Sequence, residues 1–377
     1  EEGILQLAGG DDRLPSGTTV TLGSGANGGT LDLNNQSQEL AGLLISGTGT
    51  NRVVDSADDA TTPVLTLNIT TGTNTYDGIL GNTNEDGFEL VKEGTGALEL
   101  TGDNTYSEGT TVNDGTLLIN NTAGSGTGSG TVDLNNDTTL AGTGTIDGAV
   151  NANDDSTVEP GDGGTGILTV GTITFAGTAT LEIEVDGNTP GTNHDQLNVI
   201  GGVNLTNTYL VTNGSITASA GQKDKILSND STDAINGFFG GLAEGASVTI
   251  NGIAFILTYQ GGTEGNDVVL IEPGTWTIDG TAGGDNFELR RSGNFIQLLI
   301  DGNVEEQRPI AAITDIVVNG LAGNDNLDIN HAGPGGQFFV DVTYNGGDDD
   351  DSLDVLGGTA DEITYTPNDG SGDQARG

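Results

Sequence analysis

Short runs of alternating apolar and polar residues recur along the whole chain, and a glycine-bearing turn closes each of them. The clearest examples lie within residues 87–120, where Phe88–Val91, Ala97–Leu100 and Thr116–Ile119 follow one another. Alternation with period two predicts β-strands, and the glycine turns show where they end. No stretch repeats apolar residues at helical spacing, so we expect no helix longer than two turns.

Strands this short and this alike favour a coil of stacked rungs over a sandwich with long connections. We therefore predict an all-β chain. Its larger part should be a β-solenoid, followed by a smaller β domain.

The centre of the chain resembles the autotransporter-associated β-strand repeat. The matching segments, in the order of the family, are Lys92–Gly96, Leu98–Leu100, Gly102–Tyr106, Gly109–Val112 and Gly115–Leu117. The resemblance implies a right-handed parallel β-helix in a secreted or surface-exposed bacterial protein. It bears on fold and location far more than on any activity.

Composition shifts and turns divide the chain into three predicted segments. Residues 1–164 read as β-helix repeats, and residues 165–273 read as a closing β segment with wider strands. After Pro273-Gly274, residues 274–377 read as a β domain in which strands alternate with acidic turns. Its predicted strands are Thr275–Ile278, Phe295–Ile300, Asp315–Val318, Phe338–Val342 and Glu362–Tyr365.

The ends of the chain carry no recognisable cap. Gly3–Leu7 reads as a strand entering a coil already under way, and Glu362–Thr366 is followed by a polar tail. Open strand edges are templates for further pairing. We expect a chain whose leader has been removed, a fragment of a longer protein, or a chain that self-associates head to tail as a homopolymer.

The formal charge of −46, from 55 acidic and 9 basic residues, excludes a nucleic-acid or anionic-membrane surface. In a parallel coil, carboxylates stacked about 4.8 Å apart repel one another. Ca²⁺ would relieve that repulsion, because it prefers carboxylate and main-chain carbonyl oxygens as ligands. A halophilic or merely soluble acidic surface is the open alternative. The chain has no cysteine, hence no disulfide or thiolate metal site, and no apolar run long enough to span a membrane.

Four acidic turns share the form G-x-x-G-x-D-x-U, where U is apolar, although the fourth is degenerate. They are Gly262–Val269, Gly280–Phe287, Gly320–Leu327 and Gly346–Leu353. This form is similar to the calcium-binding nonapeptide of repeats-in-toxin proteins. The resemblance implies Ca²⁺ held by aspartate and main-chain oxygens.

The turns depart from that family in lacking some of its glycines and in standing 18 to 40 residues apart, so they could bind metal together only by stacking at equivalent corners. The predicted metal ligands are Asp285, Asp325 and Asp351 first, then Asp348, Asp349, Asp350 and Asp267. An ordinary turn without metal is the open alternative.

Enzymatic signals are weak. His194 and His331 lie in separate segments, outside any metal-ligand spacing, and lysine and arginine are too few to hold an acidic polysaccharide. We expect a protein that is not an enzyme and that builds an extracellular fibre, matrix or surface layer. The alternatives are an adhesin stalk with a binding tail domain and, third, a polysaccharide-acting enzyme. A glycan on Asn or Thr is possible at the N-x-S/T sequences of Asn35, Asn68, Asn120, Asn136, Asn204, Asn213 and Asn229.

Overall fold

A computed structural model describes residues 3–57, 61–81, 87–230, 232–262 and 264–358, together with the backbone of two later strands. The protein is all-β and forms a β-solenoid of about 13 turns, which confirms the predicted fold class. The helical element in the described residues is the 3₁₀ turn Ile310–Ala312. The predicted residue Glu362 and most of the polar tail lie outside the described residues.

The chain divides into two compact units. The first comprises Glu1–Gly214 and Ile226–Gly241, and the second comprises Ser215–Lys225 and Leu242–Gly377. The sequence boundaries after residues 164 and 273 remain predictions. Within the described ranges, the structure contains no helix of the length and apolarity that crossing a membrane requires.

The strands of the first unit, of which the last but one begins in the second unit, are β1 (Gly3–Gln6), β2 (Thr19–Gly25), β3 (Gly29–Asp32), β4 (Gln38–Leu40), β5 (Gly42–Gly47), β6 (Arg52–Val54), β7 (Val64–Asn68), β8 (Thr73–Tyr76), β9 (Ile79–Leu80), β10 (Glu89–Glu93), β11 (Ala97–Leu100), β12 (Thr110–Val112), β13 (Thr116–Ile119), β14 (Val132–Leu134), β15 (Thr139–Gly142), β16 (Thr145–Ala152), β17 (Thr157–Pro160), β18 (Ile167–Phe175), β19 (Thr180–Glu184), β20 (Gln196–Val199), β21 (Val203–Asn204), β22 (Tyr209–Asn213), β23 (Lys223–Asn229) and β24 (Ile235–Asn236).

Two long parallel sheets form the walls of the first unit. One runs in the order β4-β7-β10-β12-β14-β16-β18-β20-β23, and the other runs β8-β11-β13-β15-β17-β19-β22. From β10 to β20, every second strand along the chain belongs to the same wall, as a coil requires. The smaller sheets β1-β3-β6-β9 and β2-β5 belong to the opening turns.

In-register pairing brings the apolar residues of successive turns into columns. In one wall, Leu98 pairs with Leu117, Leu117 with Leu140 and Leu140 with Val158, and all four side chains are fully buried. Each apolar residue therefore packs on its counterpart one turn away. Thin columns of this kind let a chain of low hydrophobic content bury a continuous core.

The second unit contains β25 (Ser247–Ile250), β26 (Ile253–Gly261), β27 (Asp267–Ile271), β28 (Gly274–Asp279), β29 (Asn286–Ser292), β30 (Phe295–Ile300), β31 (Asn303–Pro309), β32 (Ile313–Ala322), β33 (Asn326–Asn330), β34 (Asp341–Asp348), β35 (Ser352–Leu356), β36 (Ile363–Thr366) and β37 (Gln374–Arg376).

Parallel stacking recurs in the second unit. One sheet runs β28-β32-β34-β36, and the facing order β29-β33-β35-β37 is also parallel. Two antiparallel excursions interrupt it: β25-β26-β27 and the pair of hairpins β29-β30-β31. Trp276 is fully buried in the core of this unit.

The predicted strand Phe338–Val342 is wrong at its start, since β34 begins only at Asp341. Phe338 is buried and its ring lies 5.0 Å from that of His331, whereas Phe339 is 65% exposed. Adjacent aromatic residues are typical of strands, but Phe338 and Phe339 lie in an irregular segment. The ring of Phe338 enters the core from that segment, and the ring of Phe339 faces solvent.

Candidate metal site at stacked acidic corners

Three of the four acidic turns lie at equivalent corners of successive turns of the coil. They join β28 to β29, β32 to β33 and β34 to β35. The residue after each turn's aspartate pairs in register with its counterpart on the next strand, so the aspartates stack. We call Asp285, Asp325 and Asp351 the aspartate ladder.

Each step of the aspartate ladder is a hydrogen bond from main chain to carboxylate. The Asp285 N–H donates to Asp325 Oδ1 at 2.7 Å, and the Asp325 N–H donates to Asp351 Oδ1 at 2.9 Å. Hydrogen bonds to an ionised acceptor are stronger than neutral ones. The carboxylates therefore fasten one turn of the coil to the next.

The first glycine of each turn makes room for the aspartate. A Cβ on Gly320 would lie 2.3 Å from Asp325 Oδ2 and 2.2 Å from the Gly346 carbonyl oxygen, and a Cβ on Gly346 would lie 2.2 Å from Asp351 Oδ2. A side chain cannot be accommodated at these distances. The first position of the motif must therefore be glycine wherever the aspartate of the same turn occupies the corner.

The second carboxylate oxygens differ along the ladder. Asp285 Oδ2 accepts hydrogen bonds from the Thr281 N–H at 2.6 Å and from its Oγ1 at 3.0 Å. Asp325 is 1% exposed, and its Oδ2 is buried without a hydrogen-bond partner among the described residues. A buried carboxylate oxygen of this kind is costly unless something pairs with it.

Burial is the main cause that raises the pKa of Asp325 above its usual value. The charges of Asp351, Asp285 and Asp349 raise it further, whereas the hydrogen bond from the Asp285 N–H opposes the shift. The ionised form of Asp325 is therefore disfavoured in the folded protein. A cation beside Oδ2 would reverse that balance.

The donors at the ladder suit Ca²⁺ in kind. Above Gly320, a carboxylate oxygen and a carbonyl oxygen converge, and both are hard donors of the type that Ca²⁺ selects. Across the described part of the chain, however, no group of three or more His, Asp or Glu side chains is arranged to hold a metal ion by itself. Any bound calcium would need main-chain oxygens and water as well.

The other aspartates of the fourth turn face solvent. Asp348, Asp349 and Asp350 are all exposed. Asp349 occupies the position of the inner glycine with φ +80°, a conformation that side chains rarely adopt, and its Oδ2 accepts the Gly323 N–H at 3.2 Å. The side chains of Asp348, Asp349 and Asp350 thus take no part in the hydrogen bonds that form the aspartate ladder.

The first acidic turn is built differently. Asp267 begins β27, which pairs antiparallel with β26, so this turn belongs to a hairpin and not to a corner of the coil. Its carboxylate forms an ion pair with Lys225 Nζ at 2.7 Å. The structure separates Asp267 from the aspartate ladder, and residue 263 of this turn lies outside the described residues.

Lys92 holds the repeat together from inside, a role that we did not assign from the sequence. Its side chain is fully buried, and Nζ donates to the carbonyl oxygens of Glu93 at 3.0 Å, Gly94 at 2.5 Å and Asp114 at 2.9 Å. The ammonium group thus ties two successive turns. The only signal in the sequence was a lysine where alternation calls for an apolar residue.

A second acidic cluster surrounds a cavity of about 170 Å³ in the first unit. Burial raises the pKa of Asp195 to about 7, although its carboxylate accepts the Gly166 N–H at 2.8 Å and the Glu184 N–H at 2.7 Å. The neighbouring His194 Nδ1 lies 3.0 Å from the Gly187 carbonyl oxygen. Both side chains bind main-chain groups.

Comparison with known proteins bears on the repeat itself. Residues 90–119 match the family model described as passenger-associated-transport-repeat. These residues run from the second residue of β10 to the end of β13 and include Lys92, so the matched segment is about one and a half turns of the coil.

Part of the chain is similar to the Adhesin BmaC autotransporter of Brucella suis biovar 1 (strain 1330), with 34% identity over 122 residues. The match covers 32% of this chain and 3% of that protein. The similarity thus concerns a short stretch of a much longer relative.

Proposed function

Since this chain is an autotransporter-associated repeat protein, and hence a bacterial cell-surface or secreted protein, we propose that it serves as a rigid stalk in a surface adhesin. The observation that carries the proposal is the stacking of parallel turns through the first unit. Main-chain pairing and buried columns link each turn to the next, which makes a coil stiff along its axis. The similar relative is named an adhesin, so we infer a non-enzymatic role.

The acidic surface suits a stalk. With a formal charge of −46, separate copies repel one another, and the repulsion keeps the protein soluble and apart at low ionic strength. Outward side chains relieve part of the repulsion within the coil by alternating carboxylates with amides. Asn113 Nδ2, for example, donates to Glu93 Oε1 at 2.7 Å, and Asn135 Nδ2 donates to Asn113 Oδ1 at 2.6 Å.

Head-to-tail assembly into a fibre, matrix or layer is the second candidate. One wall of the first unit ends at β22, which pairs with β19 alone among the described strands. Tyr209 and Val211 on this strand are 50% and 43% exposed. An exposed apolar edge strand favours pairing with another chain.

Electron microscopy of the purified chain, with sedimentation at high protein concentration, separates the two candidates. The stalk proposal expects isolated rods and a monomer at every concentration. Filaments or lattices would contradict it and support assembly. In that case Val211→Lys should abolish them by placing charge on the edge, whereas the matched Thr111→Lys, on an inner strand of the other wall, should not.

The second part of the proposal is that Ca²⁺ stabilises the aspartate ladder by pairing with Asp325 Oδ2. A ligand that binds only the folded protein adds RT ln(1 + [L]/Kd) to the unfolding free energy, about 2.7 kcal/mol at a hundredfold excess over Kd. We expect the melting temperature to fall on chelation. Equal melting temperatures with Ca²⁺ and with chelator, at fixed ionic strength, would contradict calcium binding and would show that the corners are ordinary turns without metal.

We expect wild type and the variant Asp325→Asn to exchange their order of melting temperature between calcium-free and calcium-saturated solution. Because the raised pKa makes the ionised carboxylate unfavourable in the fold, the variant should melt at or above wild type without calcium. With saturating Ca²⁺, the melting temperature of wild type should rise by more than that of the variant and should exceed it. Asp341→Asn removes the same charge from an exposed position of β34 and should keep the full calcium response.

A further inference from the structure

A cavity of about 380 Å³ in the second unit gathers basic side chains that are rare in this protein. Lys223, Lys225 and Arg308 line it, in a chain with only 9 basic residues against 55 acidic ones. A random spread over the surface would seldom place three of nine together. The volume lies within the range of small-molecule sites, about 300–1,000 Å³.

The floor of the cavity is apolar. Val269 and Ile271 line it and are 6% and 3% exposed, and they pack with Ile256 and Ala312 in one buried cluster. An apolar floor beneath polar side chains is typical of sites for organic ligands.

Arg308 is the most buried of the three cations, at 8% exposure. Its guanidinium carbon lies 4.9 Å from the ring centre of the fully buried Trp276, and its Nε donates to Glu306 Oε1 at 2.7 Å. Within the described residues, its two Nη atoms donate no hydrogen bond to the protein. Trp276 and Glu306 thus fix the plane of the guanidinium while most of its donors stay available.

At Arg308 two cations contact a single carboxylate, and the other acidic residue of the lining, Glu305, is exposed. Lys223 Nζ forms its ion pair with the same Glu306 oxygen, so two cations share one carboxylate. Burial first, and then the charge of Arg308, lower the pKa of Lys223. Lys225 is matched separately by Asp267.

We propose that this cavity binds a small organic carboxylate that has an apolar body. The carboxylate would take the free Nη donors of Arg308, which match its two oxygens in a planar fork, and would supply the second negative charge that Lys223 lacks. The body of the ligand would lie over Val269 and Ile271. The site is independent of the stalk proposal and would stand if that proposal failed.

Calorimetric titration of the full chain with two carboxylates tests the proposal. One is glucuronate and the other is 4-methylpentanoate, so that the two titrations distinguish a site for sugar acids from a site for aliphatic acids. Glucose and 4-methylpentanamide are their uncharged counterparts. We expect at least one carboxylate to bind at millimolar concentration or below, and its uncharged counterpart to bind at least about tenfold more weakly. No binding by either acid, or equal binding by acid and uncharged partner, would overturn the proposal.

Substitutions locate the binding. Arg308→Lys keeps the charge but loses the fork, and we expect about tenfold weaker binding of the acid. Arg13→Gln, in an exposed loop of the first unit, should leave binding unchanged. If Arg308→Lys does not fold, as shown by its melting curve, Lys223→Gln decides, again with about tenfold weakening expected. Wild-type affinity in the folded Arg308 variant, or in the Lys223 variant where it decides, would refute the assignment.

Discussion

Lys92→Met is expected to lower the free energy of unfolding by about 3 kcal/mol or more, because three partly buried carbonyl oxygens lose their charged donor and a hydrogen bond to a charged group contributes about 1.5–3 kcal/mol. Methionine fills the same column without offering a hydrogen bond. The three carbonyls belong to Glu93, Gly94 and Asp114, on two successive turns, so both turns should loosen together. Urea unfolding measures the loss, and hydrogen exchange of β10 to β13 locates it.

Lys223→Met is the matched control for this change. Lys223 is 39% exposed at the side chain and pairs with Glu306, which is 34% exposed and keeps Arg308 as a partner, and exposed pairs contribute about 0–1 kcal/mol. Equal losses in the two variants would show that the carbonyl contacts of Lys92 contribute little.

The pH dependence gives a second check on Lys92. Burial lowers its pKa from 10.5 to about 8. Between these values the unfolded chain holds a proton that the folded protein has released, so the unfolding free energy contributed by this residue rises with pH. The stability difference between wild type and Lys92→Met should widen over that range. A constant difference from pH 7 to 10 would contradict the shift.

Gly320→Ala is expected to cost about 3 kcal/mol, because the added Cβ would meet a main-chain oxygen, Gly346 O, at 2.2 Å. The Asp325 carboxylate could swing aside, but the carbonyl belongs to the next turn of the coil and can move only with its strand. The corner must therefore open, and its ladder of hydrogen bonds with it. Thermal and urea unfolding both report the loss.

Gly283→Ala tests the same turn form at a roomy position. The nearest atom to a Cβ there is Thr281 Oγ1 at 3.9 Å, so the change should stay within about 0.5 kcal/mol. A Gly320 variant as stable as this control would mean that the corner yields easily. The motif would then need another explanation than steric fit.

Much of the architecture could be predicted from the sequence, because the residues that determine its strands and turns are neighbours along the chain. Period-two alternation in Ala97–Leu100 and Thr116–Ile119 predicted strands that are found as β11 and β13. The turn glycines placed the ends of the strands. Phe338 shows the limit, since β-forming composition alone cannot tell a strand from an irregular segment that supplies one ring to the core.

The candidate site was only partly readable. The four acidic turns look alike as sequence, yet three became corners of the coil and the turn of Asp267 became a hairpin. The aspartates of the ladder stand 40 and 26 residues apart, and the larger gap contains the antiparallel excursion β30-β31. No periodic rule in the sequence connects residues across such an insertion.

By itself, the sequence determined the strand pattern, the coil of stacked rungs and the acidic surface, since alternation, turn glycines and net charge are properties of contiguous residues. Its resemblance to a repeat family implied the parallel β-helix and the bacterial secreted or surface location. The tertiary structure alone decided which polar groups meet. It placed Lys92 under three carbonyls, left one oxygen of Asp325 without a hydrogen-bond partner among the residues that the structure describes, and brought Lys223 and Arg308 to one cavity. Those contacts depend on strand register and on chain closure over many residues, and neither is encoded at any single position.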